Sequence, residues 1–141
     1  MASITAGLAG GIVATIVMTV LMMVMGDGGP PPTARLVAKF AGGDPPAYAM
    51  PGMALHFLYG VVAGAVFAVG VPLVGLDLGS LAVAVGLGLA YGVVLMVAGM
   101  LFWMRAVIGI EPDAETMRTF GTVHVVYGVV LGAFIWTGVV G

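Results

Sequence analysis

The chain has 141 residues, of which 62% are hydrophobic and 7% are charged. Soluble domains carry about 25% charged residues, so this composition excludes a water-exposed globule and predicts a chain that meets the lipid bilayer. Its 4 basic residues leave no phosphate-binding surface for nucleic acid, and the lack of Cys excludes a disulfide frame or a thiolate centre.

Four charge-free stretches are each long enough to cross a hydrocarbon core of about 30 Å, which takes roughly 20 apolar residues. The first, Ile4 to Met25, is expected to be retained, because it lacks a basic start and is too long for the apolar part of a signal peptide. The others are expected over about 51–71, 80–104 and 119–140, with Pro72 ending the second and Ser80 capping the third. The sequence therefore predicts an all-α, four-helix transmembrane bundle, a single membrane domain over residues 1–141.

The basic residues lie in two connections on the same side of the predicted bundle. Arg35 and Lys39 fall between the first and second spans, and Arg105 and Arg118 fall between the third and fourth. Cytoplasmic loops of membrane proteins carry an excess of Lys and Arg. We therefore expect a multi-pass protein of the cell (plasma) membrane with loops 26–50 and 105–118 in the cytoplasm and both termini outside.

Both connections contain helix signals. After three prolines, the stretch from Thr33 to Ala41 predicts a short capped helix, either in the membrane interface with its basic side chains snorkelling or as an ordinary linker helix. In the second connection Pro112, Asp113 and Glu115 predict an acidic helix start. We expect the fourth helix to begin there, about two turns before the membrane.

An internal duplication is the most informative feature of the sequence. The pattern His-x-x-Tyr-Gly-Val-Val-x-Gly begins at His56 and again at His124, the chain's 2 histidines, at an offset of 68. The first and third spans match more weakly, for example Gly10 with Gly88. Each copy holds two spans, which predicts parallel repeats, 1–71 and 78–141, each a helical hairpin. Both imidazoles are then expected to enter from the same leaflet.

Glycines follow each histidine at helical spacing and so share one face of a helix with it. Small residues on one face let helix backbones approach closely in lipid. The second and fourth spans are expected to pack on each other, or each on its antiparallel neighbour, along these faces. The predicted helix-packing positions are Gly60, Gly64, Gly128 and Gly132.

Two interpretations of the histidines stay open. In the structural one, each imidazole is satisfied by a nearby carbonyl or by a hydrogen-bonding partner, Tyr59 or Tyr127, and no cofactor is expected. In the functional one, an ionisable group inside a span marks a site, because neutral imidazole can relay protons, ligate metal or hold haem.

Methionines one turn apart in the first and third spans extend the functional interpretation. Thioethers with imidazoles suit Cu(I), and His/His or His/Met pairs can hold haem. A porphyrin between two histidines would force their helices apart, so haem requires the glycines to face elsewhere. The candidate cofactor or metal ligands are His56, His124, Met18, Met22, Met96 and Met100.

The spans hold no paired carboxylates, no Ser/His/acid arrangement and no phosphate-binding glycine loop, so we expect no enzyme. The leading hypothesis is a small structural or accessory subunit of a homo-oligomer or a larger membrane complex. One alternative is a membrane haem- or copper-binding protein. The other is a channel or transporter for protons or a small solute.

A His followed by an aromatic residue and spaced glycines at the start of a span resembles the small four-span prokaryotic membrane proteins of the YagU-like type. The resemblance covers mainly residues 56–67 and 124–134, and the Tyr-Gly step departs from that family's pattern. It implies an integral membrane protein without an assigned reaction, and no functional residue is carried over.

Overall fold

The computed structural model describes residues 3–26 and 28–141 and is helical without strands over those residues. Four of the described helices are long and apolar enough to cross a membrane: Ile4–Met25, Pro45–Leu73, Leu81–Ile108 and Ala114–Thr137. The predictions of an all-helical chain and of four membrane-spanning candidates are confirmed. Their apolar surfaces suit a lipid bilayer, as in a multi-pass membrane protein.

Two helices begin at serine caps. Helix α1, Ile4–Met25, has the predicted bounds, and the Ser3 hydroxyl accepts a hydrogen bond from the N–H of Ala6 at 3.0 Å. Helix α4, Leu81–Ala98, begins at the predicted cap Ser80. A serine hydroxyl satisfies one of the N–H groups left unpaired at a helix start, which fixes where each helix begins.

Helix α5, Ala114–Thr137, confirms the predicted acidic start. The Asp113 carboxylate accepts from the N–H of Thr116 at 2.8 Å. The predicted end at residue 140 is wrong, because the helix stops at Gly138, whose φ of +64° is the left-handed cap that glycine adopts without strain.

The prediction that Pro72 ends the second span at residue 71 is wrong. Helix α3, Ala49–Leu73, follows a 3-10 turn and includes Pro72 in its last turn. Pro72 cannot donate to the carbonyl of Ala68, but its fixed φ is helical, and only Leu73 follows it in the helix. The chain turns away at Gly75, two residues after the end of α3, where φ is +77°.

The third span is longer than predicted. Helix α4 continues into a π-helical segment, Gly99–Ile108, which ends at Gly109 in the left-handed conformation. A Cβ on Gly99 would lie 2.5 Å from the ring of Phe120, so the missing side chain lets that ring pack against the segment. π-Helical turns are rare and occur mostly near functional sites.

Helix α2, Pro32–Ala41, confirms the short helix in the first connection and ends at Gly42, whose N–H donates to the carbonyl of Ala38, but no side chain caps its start. The Thr33 hydroxyl donates to the carbonyl of Gly52 in α3 at 2.6 Å. Ala34 and Ala38 are buried, and a Cβ on Gly52 would lie 2.6 Å from the backbone of Ala34. Small residues therefore let α2 pack closely on the start of α3.

The spans pack as two close antiparallel pairs. Helix α1 lies along α3, α4 lies along α5, and α1 also contacts α5. Each predicted glycine face therefore meets the preceding span, not the other glycine face. Helices α3 and α4 also meet through the rings of Phe67 and Tyr91, whose centroids lie 5.1 Å apart.

The glycine at the closest contact of α3 with α1 lies one helical turn further along the repeated sequence than the glycine at the closest contact of α5 with α4. Gly64 and Gly128 each lie against two glycines of the neighbouring helix. These partner glycines are Gly7 and Gly11 in α1, and Gly88 and Gly92 in α4. In its contacts Gly128 thus corresponds to Gly64, whereas the sequence pairs it with Gly60. The duplication itself stays a prediction from the sequence.

A buried core lies between the two pairs. We call the end of the bundle with the two basic connections the connector end, and the end with Ser3 and the 74–80 turn the far end. The core side chains toward the far end are Ala14, Phe67, Ala68, Val71, Leu131 and Ile135. Gly10 of α1 faces this part of α5, and a Cβ on it would lie 3.1 Å from Leu131. Gly88, which the weaker repeat pairs with Gly10, also faces α5 but lies against the backbone of Gly128 and Gly132.

Candidate ligand-binding cavity

A cavity of about 590 Å³ lies at the connector end. Side chains of all four spans and of both connections line it. Apolar groups form most of its wall: Met22, Leu36, Leu55, Leu95, Trp103 and Phe120. Pockets for small ligands are typically about 300–1,000 Å³ and mostly apolar with a few polar groups, so this cavity has the size and lining of a binding site.

Both histidines lie at the bottom of this cavity. Beyond them is a chamber of about 30 Å³, lined by His56 and His124 together with Met18, Tyr59 and Tyr127. One water occupies about 10–15 Å³ of such space. The chamber is therefore the size of an ion or about two waters.

The His124 ring is held in one orientation. Its side chain is 7% exposed, and its Nδ1 lies 2.7 Å from the carbonyl oxygen of Phe120. A carbonyl only accepts, so in the neutral ring Nδ1 carries the proton and Nε2 keeps a lone pair. The Phe120 ring also packs on the imidazole, with centroids 4.0 Å apart.

The His56 ring is oriented by threonines of α1. Its Nε2 lies 3.1 Å from the Thr19 hydroxyl oxygen, and that hydroxyl donates to the carbonyl of Thr15 at 2.7 Å. The Thr19 oxygen is therefore left to accept, so Nε2 carries the proton and Nδ1 keeps a lone pair. The Thr15 hydroxyl donates in turn to the carbonyl of Gly11 at 2.6 Å.

The tyrosines tie the two helix pairs together. The hydroxyl of Tyr127 donates to the carbonyl of Gly60 at 2.5 Å, and the hydroxyl of Tyr91 donates to the carbonyl of Ala63 at 2.8 Å. The structural interpretation pairs Tyr127 with a histidine, but the Tyr127 hydroxyl donates its hydrogen bond to the backbone of α3 instead. Tyr59 lines the chamber with a hydroxyl for which no hydrogen bond is found within the described residues.

The predicted methionine ligands divide between two places. Met18 and Met22 of α1 line the cavity with both histidines, whereas Met96 and Met100 do not line it. Met104, which is 2% exposed, lines it instead. Because a π turn holds more residues than an α turn, the segment after Ala98 presents a different face than a regular helix would.

Charged side chains line the cavity toward the connections: Arg35, Glu111, Asp113 and Glu115. Hydrogen bonds from Arg105 lower the pKa of Glu111, with Nη2 and Oε2 2.7 Å apart. The backbone N–H of Thr116 lowers the pKa of Asp113. Both groups are thus anionic at neutral pH. Arg35, Arg105 and Lys39, which donates to the carbonyl of Ile108, balance the acidic side chains at this entrance.

The sequence reasoning missed the two threonines that hold the His56 ring. Thr15 and Thr19 continue the spacing of Gly7 and Gly11 along α1, a stripe at four-residue intervals that could have been found.

No protein-family model, curated protein or solved structure matches this chain. The fold and the cavity define its class: a multi-pass helical membrane protein with an internal cavity at one end. The residues of that cavity are the basis for proposing its role.

Proposed function

We propose that this chain is a non-enzymatic membrane protein that binds a small ligand in the cavity above His56 and His124. The observation that carries the proposal is that a cavity of about 590 Å³ ends on two imidazoles. Each is fixed through one nitrogen, and the other nitrogen makes no hydrogen bond to the part of the chain that the structure describes. Fixed polar groups at the bottom of an apolar cavity are what orient a ligand in a binding site.

The lining favours a ligand that carries positive charge or a metal centre. The free imidazole nitrogens and the thioether sulfurs are electron-pair donors. The acidic groups Glu111, Asp113 and Glu115 lie toward the entrance, with Arg35 as the basic side chain in the lining. The electron-pair donors at the bottom of the cavity stabilise a cation.

The test is equilibrium binding of three probes to the purified full chain in lipid nanodiscs. The probes are Cu(I), hemin and tetraphenylphosphonium, which represent a soft ion, a porphyrin and an organic cation. We expect at least one to bind saturably at one per chain. Met22→Trp fills the cavity and should weaken that binding about tenfold, a loss of about 1.4 kcal/mol.

Val24→Trp is the matched control. It adds the same side chain to the same helix at a position that is 77% exposed and outside the cavity lining. If none of the three probes binds, or if both variants weaken binding equally, the proposed function is wrong.

A second candidate is the structural or accessory subunit of a homo-oligomer or larger membrane complex. The third span favours it, because only 17% of its 18-residue apolar stretch is buried inside the structure, against 33% to 39% of the corresponding stretches in the other three spans. Its exposed side carries Ala82, Gly86 and Ala90 at four-residue spacing, and Gly86 has nothing within 4 Å of a Cβ position. Such a stripe allows close helix contact with a second copy in lipid.

Gly86→Leu tests this candidate, with Gly70→Leu as its control at another open glycine. Native mass spectrometry of the protein released from nanodiscs should show a dimer that Gly86→Leu abolishes and Gly70→Leu keeps. A monomeric wild type would reject the homo-oligomer. A proton or small-solute pathway stays a prediction from the sequence. The buried core gives it no support, because the core lies between the cavity and the far end.

We also propose that the cavity opens toward the cytoplasm of a plasma membrane, as the basic connections suggest. The chain has no Cys, so single cysteines report topology cleanly. Phe40→Cys lies in α2 at 74% exposure, and Leu76→Cys lies at the far end at 48% exposure. An impermeant maleimide should label Leu76→Cys in intact cells and Phe40→Cys in inverted vesicles, and the reverse result would invert the orientation.

A further inference from the structure

We propose that the small chamber is a binding site for monovalent copper, Cu(I), with His56, His124 and Met18 as its protein ligands. The inference rests on the proposed function, because it names the ligand of the same cavity. It depends on how the two rings are held, on the sulfur beside them and on the size and charge of the chamber.

The hydrogen bonds of both rings match those of metal-bound histidines. A ligating His almost always donates its other N–H to a carbonyl or a similar acceptor, which fixes the tautomer and the ring. Nδ1 of His124 donates to the Phe120 carbonyl at 2.7 Å, and Nε2 of His56 donates to Thr19 at 3.1 Å. Each ring therefore offers one lone pair, and both rings line the chamber.

The third donor selects a soft ion. Met18 is 6% exposed and lines the chamber with both imidazoles. Thioethers favour Cu(I), whereas ions such as Zn²⁺ take nitrogen, oxygen or thiolate ligands. Among the described residues no group of three His, Cys, Asp or Glu side chains could hold a metal ion. Two imidazoles and one thioether therefore form a donor set for copper in its reduced state.

The charge of the chamber favours the same ion. Among the described residues its lining holds two neutral phenols, Tyr59 and Tyr127, and no carboxylate. The cost of moving an ion out of water rises steeply with its charge, and here no anionic ligand offsets it. A monovalent ion is therefore favoured over a divalent one.

The chamber is too small for a porphyrin between the two rings. The glycine faces meet α1 and α4, so they do not themselves hold α3 against α5. The hydroxyl of Tyr127, however, donates to Gly60 and joins these helices close to both histidines. Haem held by both histidines would need that bond to break and a space of about 30 Å³ to expand greatly.

The experiment measures Cu(I) affinity by competition with the chromophoric chelator bicinchoninate, without oxygen and with ascorbate, on the full chain in nanodiscs. We expect one Cu(I) per chain. Met18→Leu, His56→Ala and His124→Ala should each lower the affinity at least about tenfold. Met18→Leu nearly conserves volume, so it removes the sulfur while the helices stay packed.

Met96→Leu is the matched control, because Met96 does not line the cavity although the sequence repeat made it a candidate ligand. Copper X-ray absorption should show one sulfur neighbour in the wild type and in Met96→Leu but none in Met18→Leu. Equal losses of affinity in the two methionine variants would overturn the site, as would a wild type that takes up no stoichiometric copper.

The hemin and tetraphenylphosphonium arms separate the two proposals. If either probe binds and Cu(I) does not, the copper site is wrong and the binding function stands. If none of the three binds, both are wrong. A hemin complex whose spectrum shows two axial histidines, lost in either His→Ala variant, would replace copper by haem.

Discussion

The α1/α3 pair and the α4/α5 pair contain the same sequence pattern but place its histidine at different depths. His124 lies one turn before Gly128, and its carbonyl packs directly against Gly92. His56 lies two turns before the corresponding Gly64 and meets a threonine of α1. His124 is accordingly buried and His56 half-buried.

The difference comes from the partner helices. In α1 the side chain of Thr15 fills the place where a Cβ on Gly60 would lie, so the closest approach moves one turn on to Gly64. In α4 two glycines allow that approach at Gly128. The depth of each histidine thus depends on the helix that its motif packs on, and two equal motifs place unequally buried histidines in one cavity.

The largest expected effect is that of Gly128→Ala. Its Cβ would meet the carbonyl oxygen of Gly88 and, at 3.0 Å, the nitrogen of Gly92, and backbone atoms cannot move aside without separating the helices. We expect a loss of about 2–3 kcal/mol in the free energy of unfolding, measured by reversible unfolding in mixed detergent micelles.

Gly86→Ala is the control for this prediction, because the space beside Gly86 is open. Replacing a helical glycine there should be neutral or stabilise by about 0.5–1 kcal/mol. If Gly128→Ala costs no more than Gly86→Ala, the close contact of α4 with α5 is wrong.

A smaller effect distinguishes the two pairs directly. A Cβ on Gly60 would meet the side chain of Thr15, and a mutation of Thr15 to a smaller residue would make room for it. Thr15→Ala should therefore recover about 1 kcal/mol of the cost of Gly60→Ala and nothing of the cost of Gly128→Ala. Double-mutant cycles in the same unfolding assay measure both couplings. Equal couplings would mean that the two pairs pack alike.

The tyrosine hydrogen bonds that join the two helix pairs should contribute still less to the free energy of unfolding. Tyr127→Phe removes the buried hydrogen bond to Gly60, which is worth about 0.5–1.5 kcal/mol. Tyr91→Phe removes a longer and less buried bond to Ala63 and should cost less. The same assay compares them, and a larger cost for Tyr91→Phe would mean that the pairs are joined mainly through α4.

Long apolar stretches and caps were enough to predict the spans, because hydrophobic length and unpaired N–H groups act locally. The bounds of α1, the Ser80 cap and the Asp113 start follow from them. The end of α3 did not, because Pro72 has a helical φ and the helix runs one residue past it before it ends.

The candidate site could be predicted in the part that depends on regular helix spacing. His56, His124, Met18 and Met22 share one cavity because each lies on an unbroken α-helix. Two candidate methionines of the third span lie elsewhere: Met96, on the regular part of α4, faces Gly121 of α5, and Met100 lies in the π segment, where the helix presents a different face. The hydrogen bonds that orient the rings depend on contacts between helices, which the residue pattern of one helix does not contain.

The smallest effect concerns the starts of α4 and α5, which are capped by a neutral and an ionic side chain. The N–H of Thr116 holds the pKa of Asp113 below its usual 3.8. A lowered pKa in the folded state stabilises the cap above about pH 3.8, and this contribution is lost as the pH falls through the lower folded value. The Ser80 hydroxyl does not titrate in this range.

The amide resonances of Thr116 and Val83, which donate to the two caps, report this difference in an NMR titration. The Thr116 resonance should shift as the pH falls below about 3.8, and the Val83 resonance should not. Asp113→Asn keeps a capping oxygen without a titrating group, so it should remove the Thr116 shift and leave the helix start in place. A Thr116 resonance that shifts equally in Asp113→Asn would assign the titration to another group and contradict the prediction.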